Sequence, residues 1–376
     1  MPAIFQRSRI GEGGGALFWA STAFVVAGGA ALAGAIFFLV PLFAGSPARD
    51  VPAAAGVVPV AAGVPAESAT SADGAFRERL QAAASLQEAE DYAGALAAYA
   101  SLAADFPGNQ EPAERLEMLA AFLRSNGFSM TPAKFQSLRP GLQAAAGHGV
   151  VSAQMLLGEQ LRETSPTEAL KYLRAAADAG QTEAMTLAGL MVSNGRGVGA
   201  RDMKRAVGWF ERAADAGDTD AMTALAECLI HGKGVARNPR RAAGLLQAAS
   251  AFQHPRALNL LGDLYARGSG VAQDYAQAYE LFARSAAGGY GDGLANQGAL
   301  LMRGEGVAAD PARAIQLWRS GIAKGFPSCM LNYARALESG KGVPADASQA
   351  RHWYREAARG GNDDAIAWCR ANGIAF

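Results

Sequence analysis

The tetrapeptide G-x-G-V occurs five times, at Gly195–Val198, Gly232–Val235, Gly268–Val271, Gly304–Val307 and Gly340–Val343, at intervals of 37, 36, 36 and 36 residues. A register held this closely marks a repeat architecture, in which each copy buries its apolar face only against its neighbours. Surrounding positions keep the same register. Eleven residues before each first Gly stand Ala184, Ala221, Ala257, Gly293 and Cys329, all small. Eight or nine after each second Gly stand Ala206, Ala242, Ala278, Ala314 and Ala350, and four beyond these come Phe210, Leu246, Phe282, Trp318 and Tyr354. Small residues let two helices approach, and one large side chain per copy fills the gap between them.

Each copy reads as two antiparallel helices. In the first full copy, Ala184, Leu187, Ala188 and Met191 fall at i, i+3, i+4, i+7 of helix A, which spans about 183–194. The first Gly of the tetrapeptide ends that helix in a left-handed residue, and the Val is the apolar plug of the turn. Asp202, Asn238, Asp274, Asp310 and Asp346 then cap helix B; Pro follows Asn238 and Asp310, and Gln three residues after Asp274 and Asp346 suggests capping boxes. Helix B ends at Gly217, Gly289, Gly325 and Gly361, with Gln253 in that place in one copy. An earlier copy over 142–180 keeps Ala153, Leu157, Gly158, Ala169 and Leu173 in register, with a turn five residues shorter. After Gly361 a last helix A, Asp363–Ala371, has no partner and closes the stack.

The A-x-x-x-L-G opening, the G-x-G-V-x-x-D turn and the AADAG-like ending together resemble the Sel1-like repeat, a relative of the tetratricopeptide repeat. The resemblance covers about residues 143–376. It implies an all-α fold, a right-handed α-solenoid of antiparallel helix pairs. Ala226 and Ala334 depart from it at the helix A glycine, and Leu246 departs at the aromatic of helix B. Upstream, Ala95, Tyr99 and Pro107 match the tetratricopeptide spacing for a second helix, with Ala83 and Leu86 suiting a first, so 74–141 is read as helical hairpins.

The N-terminal part is different. No charged residue stands between Gly13 and Ala48, and Ala16 to Val40 as a helix of roughly 37 Å would cross a hydrocarbon core of about 30 Å. Residues 14–44 are therefore read as one transmembrane helix, an uncleaved signal anchor. A cleavable secretory signal would have a shorter apolar core. Arg7 and Arg9 place residues 1–13 in the cytoplasm by the positive-inside rule, and all that follows residue 44 outside it, which in a Gram-negative bacterial cell is the periplasm. With no Cys before Cys228, a lipid anchor on an N-terminal cysteine is excluded. Ala23, Ala27, Ala31 and Ala35 form a small-residue face through which two copies could pair as a homodimer, although an Ala/Gly-rich span gives such spacing by chance. Residues 45–73, with four prolines and no period, are a linker.

Chemistry is scarce. The chain has no G-x-S-x-G or Ser-x-x-Lys, and no full phosphate loop. His148, His231, His254 and His352 lack metal-ligand spacing and read as surface side chains, and Cys228, Cys329 and Cys369 form no zinc pair. Outside the cytoplasm Cys329 and Cys369 could join in a disulfide; buried thiols are the simpler reading. With 34 basic and 34 acidic residues and no run of like charge, nucleic acid is excluded as a partner. No enzymatic activity, cofactor or metal is expected.

What the resemblance implies is a concave groove, lined by the A helices, that binds other proteins or peptide segments. Side chains one, four and five residues after the helix A glycine, and three and six before it, should face that groove. They include Glu159, Arg162, Thr186, Thr223, Glu227, His231, Asn259, Asp263, Arg267, Arg303, Arg335 and Glu338. Singly each reads as a solvated surface residue; as a set, Asn259, Asp263, Arg267, Arg303 and Arg335 can hydrogen-bond or ion-pair with a bound segment. The expected function is that of a membrane-anchored scaffold or adaptor in the cell envelope. The alternative is an exported regulator of a sensor kinase or of exopolysaccharide production.

Overall fold

A computed structural model describes residues 66–125 and 128–376. The chain divides into two compact units; one contains Ala72–Phe376, and the other, Ile10–Ser71, falls almost wholly outside the described residues. The stretches read above as a cytoplasmic tail, 1–13, and as a transmembrane helix with a small-residue face, 14–44, also lie outside them. Among the described residues no helix is long and apolar enough to cross a membrane.

Seventeen helices and no strand occur among the described residues. Four precede the repeats: α1 (Ala66–Glu88), α2 (Tyr92–Asp105), α3 (Glu111–Arg124) and α4 (Pro132–Gly147). Six pairs follow, α5 (Val151–Leu161) with α6 (Pro166–Asp178), α7 (Thr182–Ser193) with α8 (Met203–Asp215), and α9 (Thr219–His231) with α10 (Pro239–Ala251). The later pairs are α11 (Pro255–Arg267) with α12 (Tyr275–Ala287), α13 (Gly291–Arg303) with α14 (Pro311–Ala323), and α15 (Pro327–Ser339) with α16 (Ala347–Arg359). The unpaired α17 (Asp363–Ala371) closes the array.

Two expected boundaries move. Helix α1 begins at Ala66, inside the stretch read as linker, because Pro65 is its last proline and nothing in the following AESATSAD obstructs a helix. The border at 142 falls inside α4, which runs unbroken through Pro140 to Gly147, so the first repeat starts at α5.

The G-x-G-V turn has two distinct glycine requirements. The first, as at Gly268 with φ 63°, is the left-handed residue that ends helix A. The second, as at Gly306, lies against the backbone of Tyr275 and Ala276 so closely that a Cβ would collide with it. The turn of one copy is thereby seated on the start of helix B in the copy before. Val198, Val235 and Val271 pack half-buried against the core, as plugs should.

All five predicted caps are formed. The side chains of Asp202, Asn238, Asp274, Asp310 and Asp346 accept the backbone N–H three residues on at 2.9–3.0 Å. The capping boxes are not closed, for a specific reason. The N–H of Asp274 already donates to Tyr265 O at 3.0 Å and that of Asp346 to Leu337 O at 2.9 Å, which ties the turn back to helix A. Gln349 instead donates its Nε2 to Asp346 Oδ2 at 2.8 Å.

Packing within each pair follows the small-against-large pattern. A Cβ on Gly189 would stand 2.6 Å from the Phe210 ring, and one on Gly262 2.7 Å from the Phe282 ring. Where Ala226 replaces the glycine, the opposing residue is the smaller Leu246, so the two departures in that copy offset each other. In the copy with the other departure, Ala334, the Tyr354 ring stacks on Trp368 with ring centroids 3.8 Å apart. Burying each such side chain contributes about 1.5–3 kcal/mol. The cap α17 supplies that Trp368 and buries Ala365 and Cys369.

Successive A helices pack on one another, α11 on α13 and α13 on α15, and no two successive B helices pack to that extent. From α11 to α15 the A helices therefore form the tighter side of the array. The N-terminal helices join it through α3 on α5 and α4 on α5. There Arg124 of α3 donates to Glu159 of α5 at 2.6 Å and to Glu183 of α7 at 2.5 Å, which stitches three elements together.

Candidate protein-binding face

The inner face carries the polar positions that the repeat register assigns to it, but they divide into three kinds. Some belong to the scaffold. Thr186 and Thr223 are buried and return their hydroxyls to Thr182 O and Thr219 O one turn back. Glu159 is committed to Arg124, and half-buried Arg162 has an Nε with no hydrogen-bond partner. His231 is largely exposed, and partial desolvation by its neighbours, together with the Lys233 charge, lowers its basicity.

The middle of the face is acidic. Glu227 is 2% exposed, far from a solvated groove residue, because Leu225 to Leu229 are buried on every side of α9. Its Oε1 meets Arg256 of α11 at 2.5 Å, while its Oε2 is buried without a partner. Burial raises the Glu227 carboxyl to about 7 against the opposing pull of Arg256 and Lys233. Burial also raises the phenol of Tyr290 beside it, and the Asp292 and Glu227 charges add to that effect. Asp292 in turn accepts from Ser328 of α15. On α11, Asp263 pairs with Arg267 at 2.8 Å, and desolvation still holds its carboxyl above the usual range.

Toward the C-terminal end the face turns basic. Arg303 pairs with Glu305 at 2.7 Å and Arg335 with Asp364 at 3.2 Å, all with partly exposed side chains. Arg303 and Arg335 both line one cavity of about 190 Å³ between α13 and α15, which Arg267 does not reach. Glu338 is turned aside to accept the Tyr354 hydroxyl at 2.7 Å. The structure thus brings together Arg303 and Arg335 from the predicted set and leaves the other groove candidates in scaffold or acidic contacts.

Two residues of this face, Asn296 and Asn332, went unread in the sequence. Asn296 donates to Asn259 Oδ1 at 3.0 Å, Asn332 donates to Ala295 O at 3.1 Å, and the Trp318 indole donates to the same carbonyl at 3.1 Å. Asn259, Asn296 and Asn332 recur at intervals of 37 and 36, a signal that was available. His254 also proves more than a surface residue: its Nδ1 accepts from Ala257 N at 3.1 Å as the cap of α11, and its Nε2 meets Asp220 at 2.8 Å. All three cysteines are free, buried thiols, so Cys329 and Cys369 are not joined. Among the described residues no group of three or more His, Cys, Asp or Glu side chains could hold a metal ion.

Stacked helix pairs joined by seated turns, with a polar inner face, define an α-solenoid of the tetratricopeptide kind. Sel1 repeat models match residues 151–181, 182–218, 219–251, 255–290, 292–326 and 327–362, more than half of the chain. The chain belongs to the Sel1 repeat family. It is similar to a Sel1 repeat protein from Oxalobacter formigenes, 28% identical, over 57% of this chain and 85% of that one with a TM-score of 0.51. It is also similar in fold to a protective antigen of uropathogenic Escherichia coli displaying an SLR fold, 23% identical, over 69% of this chain and 55% of that one with a TM-score of 0.54. No curated protein matches the chain.

Proposed function

We propose that this chain is a membrane-anchored scaffold or adaptor of the cell envelope, which holds extended segments of other proteins along its inner face. The observation that carries the reading is the polar patch on the later A helices, where exposed Arg303 and Arg335 and half-buried Asn332 line one cavity between α13 and α15. Repeat solenoids present such surfaces for peptide segments, and the family is typically a non-catalytic scaffold. The uncharged stretch 14–44, with Arg7 and Arg9 before it, supports an anchor that leaves the repeats outside the cytoplasm.

A pulldown with the full chain from solubilised membranes tests the binding role. Recovery of several envelope proteins supports the scaffold, whereas one sensor ectodomain would favour the regulator. Protease treatment of intact and of outer-membrane-permeabilised cells tests the topology. Repeats cut only after permeabilisation of the outer membrane fit the proposal, and repeats cut only once the inner membrane is lysed would refute it.

A further inference from the structure

We propose that the cavity between α13 and α15 takes the carboxylate of an Asp or Glu side chain belonging to a protein segment laid along the inner face. The inference rests on the segment-binding reading above and assigns the chemistry of one subsite within it.

The cavity holds about 190 Å³. Its lining carries three cations, Arg303, Arg335 and Lys341, and no acidic residue. Both arginines pair with acids outside that lining, Arg303 with Glu305 and Arg335, which also touches the Tyr354 hydroxyl, with Asp364, across half-exposed pairs that contribute little stability and yield readily to a better-placed carboxylate. Lys341 has no ion-pair partner among the described residues. Two guanidinium forks on successive repeats suit the two oxygens of one carboxylate.

The floor is rigid. Trp318 is fixed by its bond to Ala295 O, and Gly298 lies so close to the indole that a Cβ there would collide with it. Asn332, held by the same carbonyl, keeps a second amide hydrogen for a ligand. The indole and Met302 offer an apolar surface to the methylene stem of an acidic side chain. Half-buried Asn296 on α13 and exposed Arg267 on α11 continue the polar face beyond the cavity, so a bound segment runs on past it. That continuity assigns a side chain rather than a chain terminus.

The test uses the full chain in detergent micelles and fluorescent synthetic peptides capped at both ends, in pairs that differ by one Glu or Gln, read by anisotropy. The Glu member should bind at least about tenfold more tightly, and the preference should weaken as salt rises. Combined Arg303→Gln and Arg335→Gln should erase the preference, while Arg313→Gln with Arg319→Gln on α14 should leave it intact. Should the first pair fail to fold, Lys341→Gln in the exposed turn reads the same subsite by a reduced preference.

Equal binding of Glu and Gln peptides overturns this proposal and leaves the groove reading standing. So does a Glu preference that survives the loss of both arginines in a folded protein. An uncapped peptide without acidic side chains that binds as tightly through its terminal carboxylate overturns the side-chain assignment. Absence of binding by every peptide removes the groove reading and this proposal together.

Discussion

Gly298 and Trp318 show how volume is shared across a helix pair. The repeat at Ala226 and Leu246 has already made the exchange that Gly298 and Trp318 would need to make, adding a methyl on helix A and losing a ring on helix B. Gly298→Ala should cost about 1–3 kcal/mol through overpacking, partly offset by the better helix propensity of Ala. Adding Trp318→Leu should relieve the clash, so that the double variant is more stable than the sum of the single losses by about 0.5–3 kcal/mol. Urea melts of the four proteins check this, and additivity would contradict it. Glu227 gives a second residue-scale test. Its folded-state carboxyl lies near 7 and its unfolded value near 4.5, so the native state binds the extra proton between them. Its contribution is therefore fully present below about 4.5 and lost as pH rises through about 7. Over that window, Glu227→Gln should remove roughly 2–4 kcal/mol of pH dependence relative to the parent, checked by denaturant melts across it. Residue identities on the inner face were only partly visible in the sequence. The register found Asn259 but passed over Asn296 and Asn332, because these sit one position closer to the helix A glycine than the frame allowed. The burial of Glu227 was invisible, since it arises from neighbours on other helices.

Helix B was the most readable element, because a cap, a small residue and a large residue stand at fixed distances along it. The bounds of α8, α10, α12, α14 and α16 each begin one residue after the predicted cap. Phe282 is the test residue at this scale. It is 3% exposed and fills the space above Gly262, so Phe282→Ala should cost about 3–5 kcal/mol by thermal or urea melting. An indifferent fold would show that the inner and outer sides of the pair are reversed. The helices before the repeats were less readable. They carry no second copy for comparison, and contacts such as that of Arg124 with Glu159 and Glu183 span 35 and 59 residues of sequence.

The whole array is held by nearest-neighbour contacts, so its ends matter more than its length suggests. Removing residues 363–376 would uncover the Tyr354 ring that Trp368 now stacks on, together with the apolar surface above Ala357 and Ala358. The shortened chain should self-associate or lose helix from its C-terminal end, seen by gel filtration in detergent and by circular dichroism. A monodisperse chain of unchanged melting temperature would contradict the capping role. Family and fold follow from the repeat register, which is a property of the whole chain and tolerates local departures. The binding partner leaves no such periodic trace.

Binding on the inner face is the central claim, and one variant measures it most directly. Arg267, Arg303 and Arg335 are exposed and lie on α11, α13 and α15, and replacing all three with Ala should shift folding by within about ±0.5 kcal/mol. In a pulldown with the full chain, the account predicts that partners retained by the parent are lost from this variant at unchanged melting temperature. Partners that remain bound to the folded variant would contradict it, and would move the site to the outer B helices or to the hairpins of residues 75–140.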